Sequence, residues 1–245
     1  HCPPHGFCFR KFTIEEDITL KEWEGLTTVE EMEAATAALL ENGKKVGADS
    51  WQQRVKNQTP HCGFGEAGTC CRICSMGPCR ITPKAPRGIC GCDVHGIVGR
   101  NYLRFTAGGA ATHSDHGRTI CHTLYETREG GNYQVKDPEK LKRIAGEWGV
   151  ETEGKDIYDL AHEVALMALE EYGKPFGISR WLSRAPEHTR ELWKNYDVEP
   201  RAIDREVSQS MHMTHMGCSS MTEALIHQAM RAGLCDGWGG SMCGT

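Results

Sequence analysis

The spacing of apolar and polar residues predicts a mainly helical chain. Acidic residues from Glu30 and basic residues up to Lys45 are typical of the start and end of one helix, which we expect to begin after Thr27. A shorter helix is expected at Trp51–Asn57. Few helix breakers interrupt the stretch Val94–Glu126, which therefore predicts one long helix.

The second half of the chain continues the helical pattern. Asp137 followed by Pro138 is typical of a helix cap and first turn, and Leu141, Ile144 and Ala145 follow as an apolar stripe. No stretch alternates in the way a half-buried strand would, and there is no internal repeat. Further helices are predicted at 156–172, 186–195, 200–216 and 219–233.

These patterns predict a mainly α fold in which one helical domain carries a loop rich in cysteine. We expect the domain to cover residues 26–245 and the loop to cover residues 60–92. Residues 1–25 have the composition of an N-terminal extension with little regular structure. The chain begins at His1 instead of a methionine, so we expect further sequence upstream.

Composition narrows the class of protein. A hydrophobic content of 39% supports a buried core, and a net charge of −5 gives no reason to expect a nucleic-acid partner. No apolar run approaches the roughly 20 residues that span a bilayer. Thirteen cysteines without a secretory signal indicate metal ligands in a reducing cytoplasm.

Six cysteines fall between positions 62 and 90 and indicate a metal centre. Thiolates two to four residues apart on a loop with glycine and proline can converge on one 4Fe–4S cluster. A zinc site with four cysteines is the alternative, although zinc motifs usually carry two separated C-x2-C knuckles. The spacing favours a cluster with the ligands Cys71, Cys74, Cys79 and Cys90, and Cys92 is the alternative for the fourth place.

Cys62 and Cys70 remain outside that set of four. Two thiolates cannot complete a cubane, but a twofold axis would supply two more from a second copy of the chain. We therefore predict a homodimer with one 4Fe–4S cluster shared between subunits. Two structural thiols, or a disulfide closing a short loop, are the alternatives.

Three histidines lie on the predicted long helix. His113, His116 and His122 are separated by three or six residues, which keeps successive side chains near one another along a slowly turning face. Histidine titrates near neutral pH and suits a proton relay, and Thr119 occupies the intermediate position. Solvated surface histidines are the alternative interpretation.

Together these motifs resemble the N-terminal part of the anaerobic nickel-iron carbon monoxide dehydrogenases. The resemblance runs through Cys62-Gly-Phe-Gly-Glu-Ala-Gly-Thr-Cys70-Cys71-Arg-Ile-Cys74-Ser-Met-Gly-Pro-Cys79-Arg and Gly88-Ile-Cys90-Gly. It continues through Ala110-Ala-Thr-His113-Ser-Asp-His116, Lys136-Asp-Pro-Glu-Lys-Leu and His215-Met-Gly-Cys218. It covers roughly residues 50–245.

The resemblance implies roles for particular residues. Cys62 and Cys70 correspond to ligands of the D cluster, a 4Fe–4S cluster between two subunits. Cys71, Cys74, Cys79 and Cys90 correspond to the ligands of the 4Fe–4S B cluster. His113 corresponds to the catalytic acid/base end of a proton route that His116 and His122 continue, and Thr119 departs from the usual third histidine.

The resemblance also implies an activity, which is the reversible oxidation of CO with water to CO2, with electrons passed to ferredoxin. A Ni-Fe-S C cluster would hold the substrate, with ligands from two Rossmann-like α/β domains whose motifs this chain does not contain. We therefore expect the chain to be the N-terminal portion of such an enzyme, alone or joined to an acetyl-CoA synthase. A stand-alone Fe–S electron-transfer protein, a hybrid-cluster hydroxylamine reductase and a zinc-stabilised helical module are the alternatives.

Overall fold

A computed structural model describes residues 34–127 and 133–245. The predicted extension at residues 1–25 and the predicted start of the first helix lie outside the described residues. The chain divides into two compact units between His61 and Cys62.

The first unit contains two described helices. Helix α1 covers Ala34–Lys45 and helix α2 covers Trp51–Asn57, so the predicted end of the first helix and both predicted ends of the second are confirmed. Ser50 caps α2, because its hydroxyl accepts a hydrogen bond of 3.2 Å from the Gln53 N–H.

The second unit is mainly helical, which confirms the predicted fold class. Its helices are α3 (Gly63–Glu66), α4 (Val94–Glu126), α5 (Pro138–Glu147), α6 (Ile157–Gly173), α7 (Glu187–Asn195), α8 (Ile203–Thr214) and α9 (Thr222–Cys235). A 3-10 turn at Arg180–Arg184 and a π-helical segment at Asp236–Ser241 complete the order. No described helix is both long enough and apolar enough to cross a membrane.

Helix α4 is the axis of this unit and forms over the residues that the sequence predicts. Asp93 begins it, since its carboxylate accepts a hydrogen bond of 2.8 Å from the Gly96 N–H. Ile97, Leu103 and Ala107 lie on its buried stripe. The helix packs against α6, α8, α9 and the π-helical segment, so groups on all of these elements can meet along it.

The cysteine loop contains one short pair of strands that the sequence pattern did not reveal. Strand β1 (Cys70–Cys71) and strand β2 (Cys79–Arg80) pair antiparallel, with Cys71 opposite Cys79. Strands of two residues show no alternation that a sequence pattern could reveal. Their pairing matters because it places two predicted cluster ligands side by side.

Helices α8 and α9 are joined by a buried polar network. Glu206 is fully buried, and its carboxylate accepts hydrogen bonds from the Arg201 guanidinium at 2.7 Å and from the Gln228 amide at 3.0 Å. Burial alone would raise the pKa of Glu206, but these donors hold that pKa below its usual value. The buried charge is therefore paired, as a stable interior requires.

Candidate functional site

The four cysteines favoured as cluster ligands line a single cavity. The paired strands bring Cys71 next to Cys79, the turn between the strands carries Cys74, and the following loop supplies Cys90. This loop is closed by a hydrogen bond of 2.8 Å from the Gly88 N–H to the Cys92 carbonyl.

The four cysteines line this cavity without forming a site for a single ion. Among the described residues, no group of three or more His, Cys, Asp or Glu side chains is arranged to hold a single metal ion. Four cysteine thiolates around one cavity are the donor set of a 4Fe–4S cluster, so the residues present fit that group.

The structure gives different surroundings to Cys90 and Cys92, the two candidates for the fourth cluster ligand. Cys92 is 1% exposed, packs against Ile97 and does not line the cavity among the described residues. Burial raises the pKa of the Cys92 thiol. A Cβ atom at Gly96 would lie 2.5 Å from the Cys92 sulfur, so this thiol is enclosed by helix α4. Cys92 therefore has the surroundings of a core thiol.

The surroundings of Cys90 favour its thiolate. Burial opposes ionisation, but the Cys92 backbone N–H and the Arg100 guanidinium lower the pKa of Cys90 below its usual value. Arg100 Nη1 lies 3.5 Å from the Cys90 sulfur, and the Ile89 N–H lies 3.5 Å from the Cys79 sulfur. Hydrogen bonds of this kind stabilise negative charge on sulfur ligands.

Cys62 and Cys70 lie outside the cavity lining. Cys62 is exposed at the start of α3, where the Gly65 and Phe64 backbone N–H groups lower the pKa of its thiol. Cys70 is half-buried on β1, and its carbonyl accepts a hydrogen bond of 3.0 Å from the Asn101 amide. Both thiols are free, and their role in a shared cluster stays a prediction.

The three predicted relay histidines are all exposed on α4. His113, His116 and His122 lie on the helix as the spacing predicts, and Thr119 donates its hydroxyl to the Asp115 carbonyl at 3.1 Å. Their role in proton transfer stays a prediction.

Asp236 is a candidate functional residue that sequence reasoning missed. Its carboxylate lies 2.5 Å from His113 Nδ1, and its side chain is 28% exposed whereas that of His113 is 51% exposed. This contact fixes which ring nitrogen faces the carboxylate and leaves Nε2 for another partner. The sequence carries one weak signal for Asp236, which is an acidic residue just before the glycines at 237, 239 and 240. It lies 123 positions after His113 in the chain.

Close backbone packing produces the His113–Asp236 contact. A Cβ atom at Gly117 would lie 2.3 Å from the Gly240 carbonyl oxygen, and a Cβ atom at Gly240 would lie 2.8 Å from the Ser114 nitrogen. Only glycine at both positions allows the π-helical segment to approach α4 this closely. π-Helical segments occur frequently at functional sites, in keeping with this placement.

Comparison with known proteins identifies the family. The Prismane/CO dehydrogenase family matches residues 69–245. The chain belongs to this family. Carbon monoxide dehydrogenase 1 of Methanosarcina mazei is 42% identical over 219 residues, which are 87% of this chain and 35% of that protein. Its counterpart in Methanosarcina acetivorans is 40% identical over 92% of this chain and 37% of that protein.

Solved structures of carbon monoxide dehydrogenases share the fold. The Ni-free crystal structure of the enzyme from Thermococcus sp. AM4 gives a TM-score of 0.80 at 40% identity, covering 89% of this chain and 36% of that one. An acetyl-CoA synthase/carbon monoxide dehydrogenase structure gives a TM-score of 0.76 at 35% identity, covering 85% and 32%. The predicted family resemblance is confirmed, and the chain spans about a third of these relatives.

Proposed function

We propose that this chain is the electron-transfer part of a carbon monoxide dehydrogenase, which oxidises CO with water to CO2, two protons and two electrons, and also runs in reverse. The observation that carries the proposal is the enclosure of one cavity by Cys71, Cys74, Cys79 and Cys90. Membership of the Prismane/CO dehydrogenase family and about 40% identity to proteins named carbon monoxide dehydrogenase support the reaction.

The cavity is proposed to hold the 4Fe–4S B cluster. When bound, such a cluster relays electrons one at a time. Strand pairing holds Cys71 beside Cys79, and the Ile89 N–H and the Arg100 guanidinium donate hydrogen bonds to the sulfurs of Cys79 and Cys90. The apolar side chains of Ile73, Ile97 and Met216 line the same cavity and limit the access of water.

Cys62 and Cys70 are proposed to complete the 4Fe–4S D cluster with the same two residues of a second copy. Support comes from two thiols free of disulfides and outside the cavity, since each chain then brings half of a ligand set. Ferredoxin is the proposed electron acceptor. An acetyl-CoA synthase subunit is a further proposed partner, because similar proteins are named as parts of such complexes.

The histidines are proposed to carry protons away from the reaction centre. His113, held by Asp236, would be the acid/base end, and His116 and His122 would continue the route. In the complete enzyme a Ni-Fe-S C cluster would supply the activation of CO and water, and no residue of this chain is assigned as its ligand. Cys218, Cys235 and Cys243 are not proposed as nickel ligands.

The Cys71→Ala variant of the whole enzyme tests the proposal. We expect it to lose about one 4Fe–4S cluster per chain in iron and sulfide analysis, and to lose electron delivery to a dye or ferredoxin. Cys121→Ala is the matched control, because Cys121 is a buried thiol of α4 outside the cavity, and it should keep its full iron content.

Two results would contradict the proposal. Normal iron content and normal turnover in Cys71→Ala would show that the cavity does not hold the proposed cluster. A native assembly that contains iron but no nickel would favour a stand-alone electron carrier instead.

A further inference from the structure

Arg100 is a buried positive charge, and no carboxylate of the described residues pairs with it. The residue is 2% exposed on helix α4. Among the described residues, other buried charges are paired, as Glu206 is with Arg201 and Glu171 is with Lys174. No ion pair within residues 34–127 and 133–245 includes Arg100. This arrangement is unusual, because arginine is rarely buried without a counter-charge.

The contacts of Arg100 point to the cysteine cavity. Nη1 lies 3.5 Å from the Cys90 sulfur, Nη2 donates to the His215 carbonyl, and the side chain lines the cavity. The buried Nε atom has no hydrogen-bond partner among the described residues. The guanidinium is thus held beside the Cys90 sulfur, at the cavity that the four cysteines line.

An enclosed positive charge needs a negative one nearby. Removing a charged side chain from water costs several kcal/mol unless a partner compensates. A 4Fe–4S cluster with four thiolates is anionic in its usual oxidation states and gains one further negative charge when it is reduced. A cluster in the cavity would therefore supply Arg100 with the counter-charge that the described side chains around it do not.

We propose that Arg100 is the counter-charge of the cluster in this cavity and raises its reduction potential. The inference depends on the proposed function, since it requires a cluster bound by these cysteines. A positive charge in a low-dielectric site stabilises the reduced cluster more than the oxidised one, because the reduced cluster is more negative. Arg100 is therefore a positioning and tuning residue that makes the cluster a better electron acceptor.

Arg104 provides a matched control on the same helix. It lies one turn after Arg100 and is partly buried, but its Nε donates to the Thr214 hydroxyl at 2.5 Å. It does not line the cavity. Replacing Arg104 removes one positive charge from α4 without touching the sulfurs.

The test is an anaerobic redox titration of the whole enzyme, followed by the electron paramagnetic resonance signal of the reduced cluster. We expect Arg100→Gln and Arg100→Met to shift the midpoint potential of this cluster to lower values. Arg100→Lys keeps the charge, so its midpoint potential should lie closer to that of the unmodified enzyme than the potentials of Arg100→Gln and Arg100→Met do. Arg104→Gln should leave the potential unchanged. Iron and sulfide are measured on each protein.

The outcomes separate this inference from the proposed function. An unshifted potential in an Arg100→Gln or Arg100→Met enzyme with full iron content would overturn the inference and leave the cluster assignment intact. Loss of the cluster from both, with Arg100→Lys and Arg104→Gln retaining it, would support the need for a counter-charge. Loss from Arg100→Lys as well would overturn it. Unchanged iron in Cys71→Ala would instead overturn the proposed function.

Discussion

The two parts of helix α4 form sites of opposite character. Near its start, Ile97 and Arg100 close one side of a sulfur-lined cavity, and the charge of Arg100 is buried there. Farther along, His113 and the two following histidines are exposed, and His113 meets an acidic partner. A single rigid helix thus carries an enclosed site suited to electrons and an open face suited to protons.

The difference in exposure between the two sites follows from the chemistry of electron transfer and of proton transfer. Electron transfer between buried centres needs no contact with water, so enclosure and fixed charge can tune the potential of the cluster. Proton transfer needs groups that exchange protons with neighbours, so the histidines must remain accessible to water or to other side chains. The comparison predicts that changes in the first part alter cluster content or potential, whereas changes in the second alter turnover.

The largest predicted effect is the loss of the cluster in Cys90→Ala but not in Cys92→Ala. Cys90→Ala should lose the cluster of the cavity, because it removes one of the four sulfurs that line it. Cys92→Ala should keep the cluster and lose stability, by about 1–3 kcal/mol, because it leaves a small void in the core. Iron analysis and thermal unfolding of the two whole-enzyme variants check this. Cluster loss only in Cys92→Ala would reverse the assignment.

The next effect concerns the proposed D cluster between two copies of the chain. Cys62→Ala should remove about one cluster for every two chains and weaken the dimer, because each copy would bring only Cys70 to the interface. Iron analysis combined with sedimentation measures both quantities. Unchanged iron and an unchanged sedimentation profile would exclude a cluster at this position. Cys218→Ala, which changes another exposed thiol, is the control.

A smaller effect is predicted for the histidine face. Asp236→Asn keeps the shape of the side chain and removes its charge, so turnover should fall by about 10–100-fold, the range known for hydrogen-bond partners of metal-binding histidines. The loss should appear in kcat with little change in KM, and the iron content should stay full. Asp204→Asn is the control, since Asp204 forms a surface ion pair with Arg118. Equal activity of both variants would exclude a positioning role for Asp236.

The smallest predicted effect tests the close approach of Gly117 and Gly240, which brings His113 and Asp236 together. Gly117→Ala should destabilise the fold by about 1–3 kcal/mol, because its Cβ would meet the Gly240 carbonyl at 2.3 Å. Gly108→Ala on the same helix has nothing within 4 Å of its Cβ and should gain about 0.5–1 kcal/mol. Thermal unfolding of both variants gives the comparison. Equal stability of the two would show that the close approach is not required.

Sequence reasoning predicted the features that depend on local pattern. The bounds of α4 and the cap at Asp137 follow from breakers and capping residues, and both are confirmed. The convergence of Cys71, Cys74 and Cys79 on one cavity also follows from short spacing, because few residues separate them along the chain.

Features that depend on contacts between distant residues could not be predicted. Arg100 and Asp236 had no distinguishing neighbours in sequence, since their importance comes from the Cys90 sulfur and the His113 ring. The sequence favoured Cys90 and kept Cys92 as the alternative for the fourth ligand. Their different surroundings depend on which thiol α4 encloses, which the sequence does not show, since both cysteines are flanked by glycine.

Anomalous X-ray diffraction from crystals of the whole enzyme tests the central claim most directly. Data collected on both sides of the iron absorption edge should show an iron peak between Cys71, Cys74, Cys79 and Cys90, beside the Arg100 guanidinium. A peak there that appears only at the zinc edge, or no anomalous peak among these four sulfurs, would contradict the account.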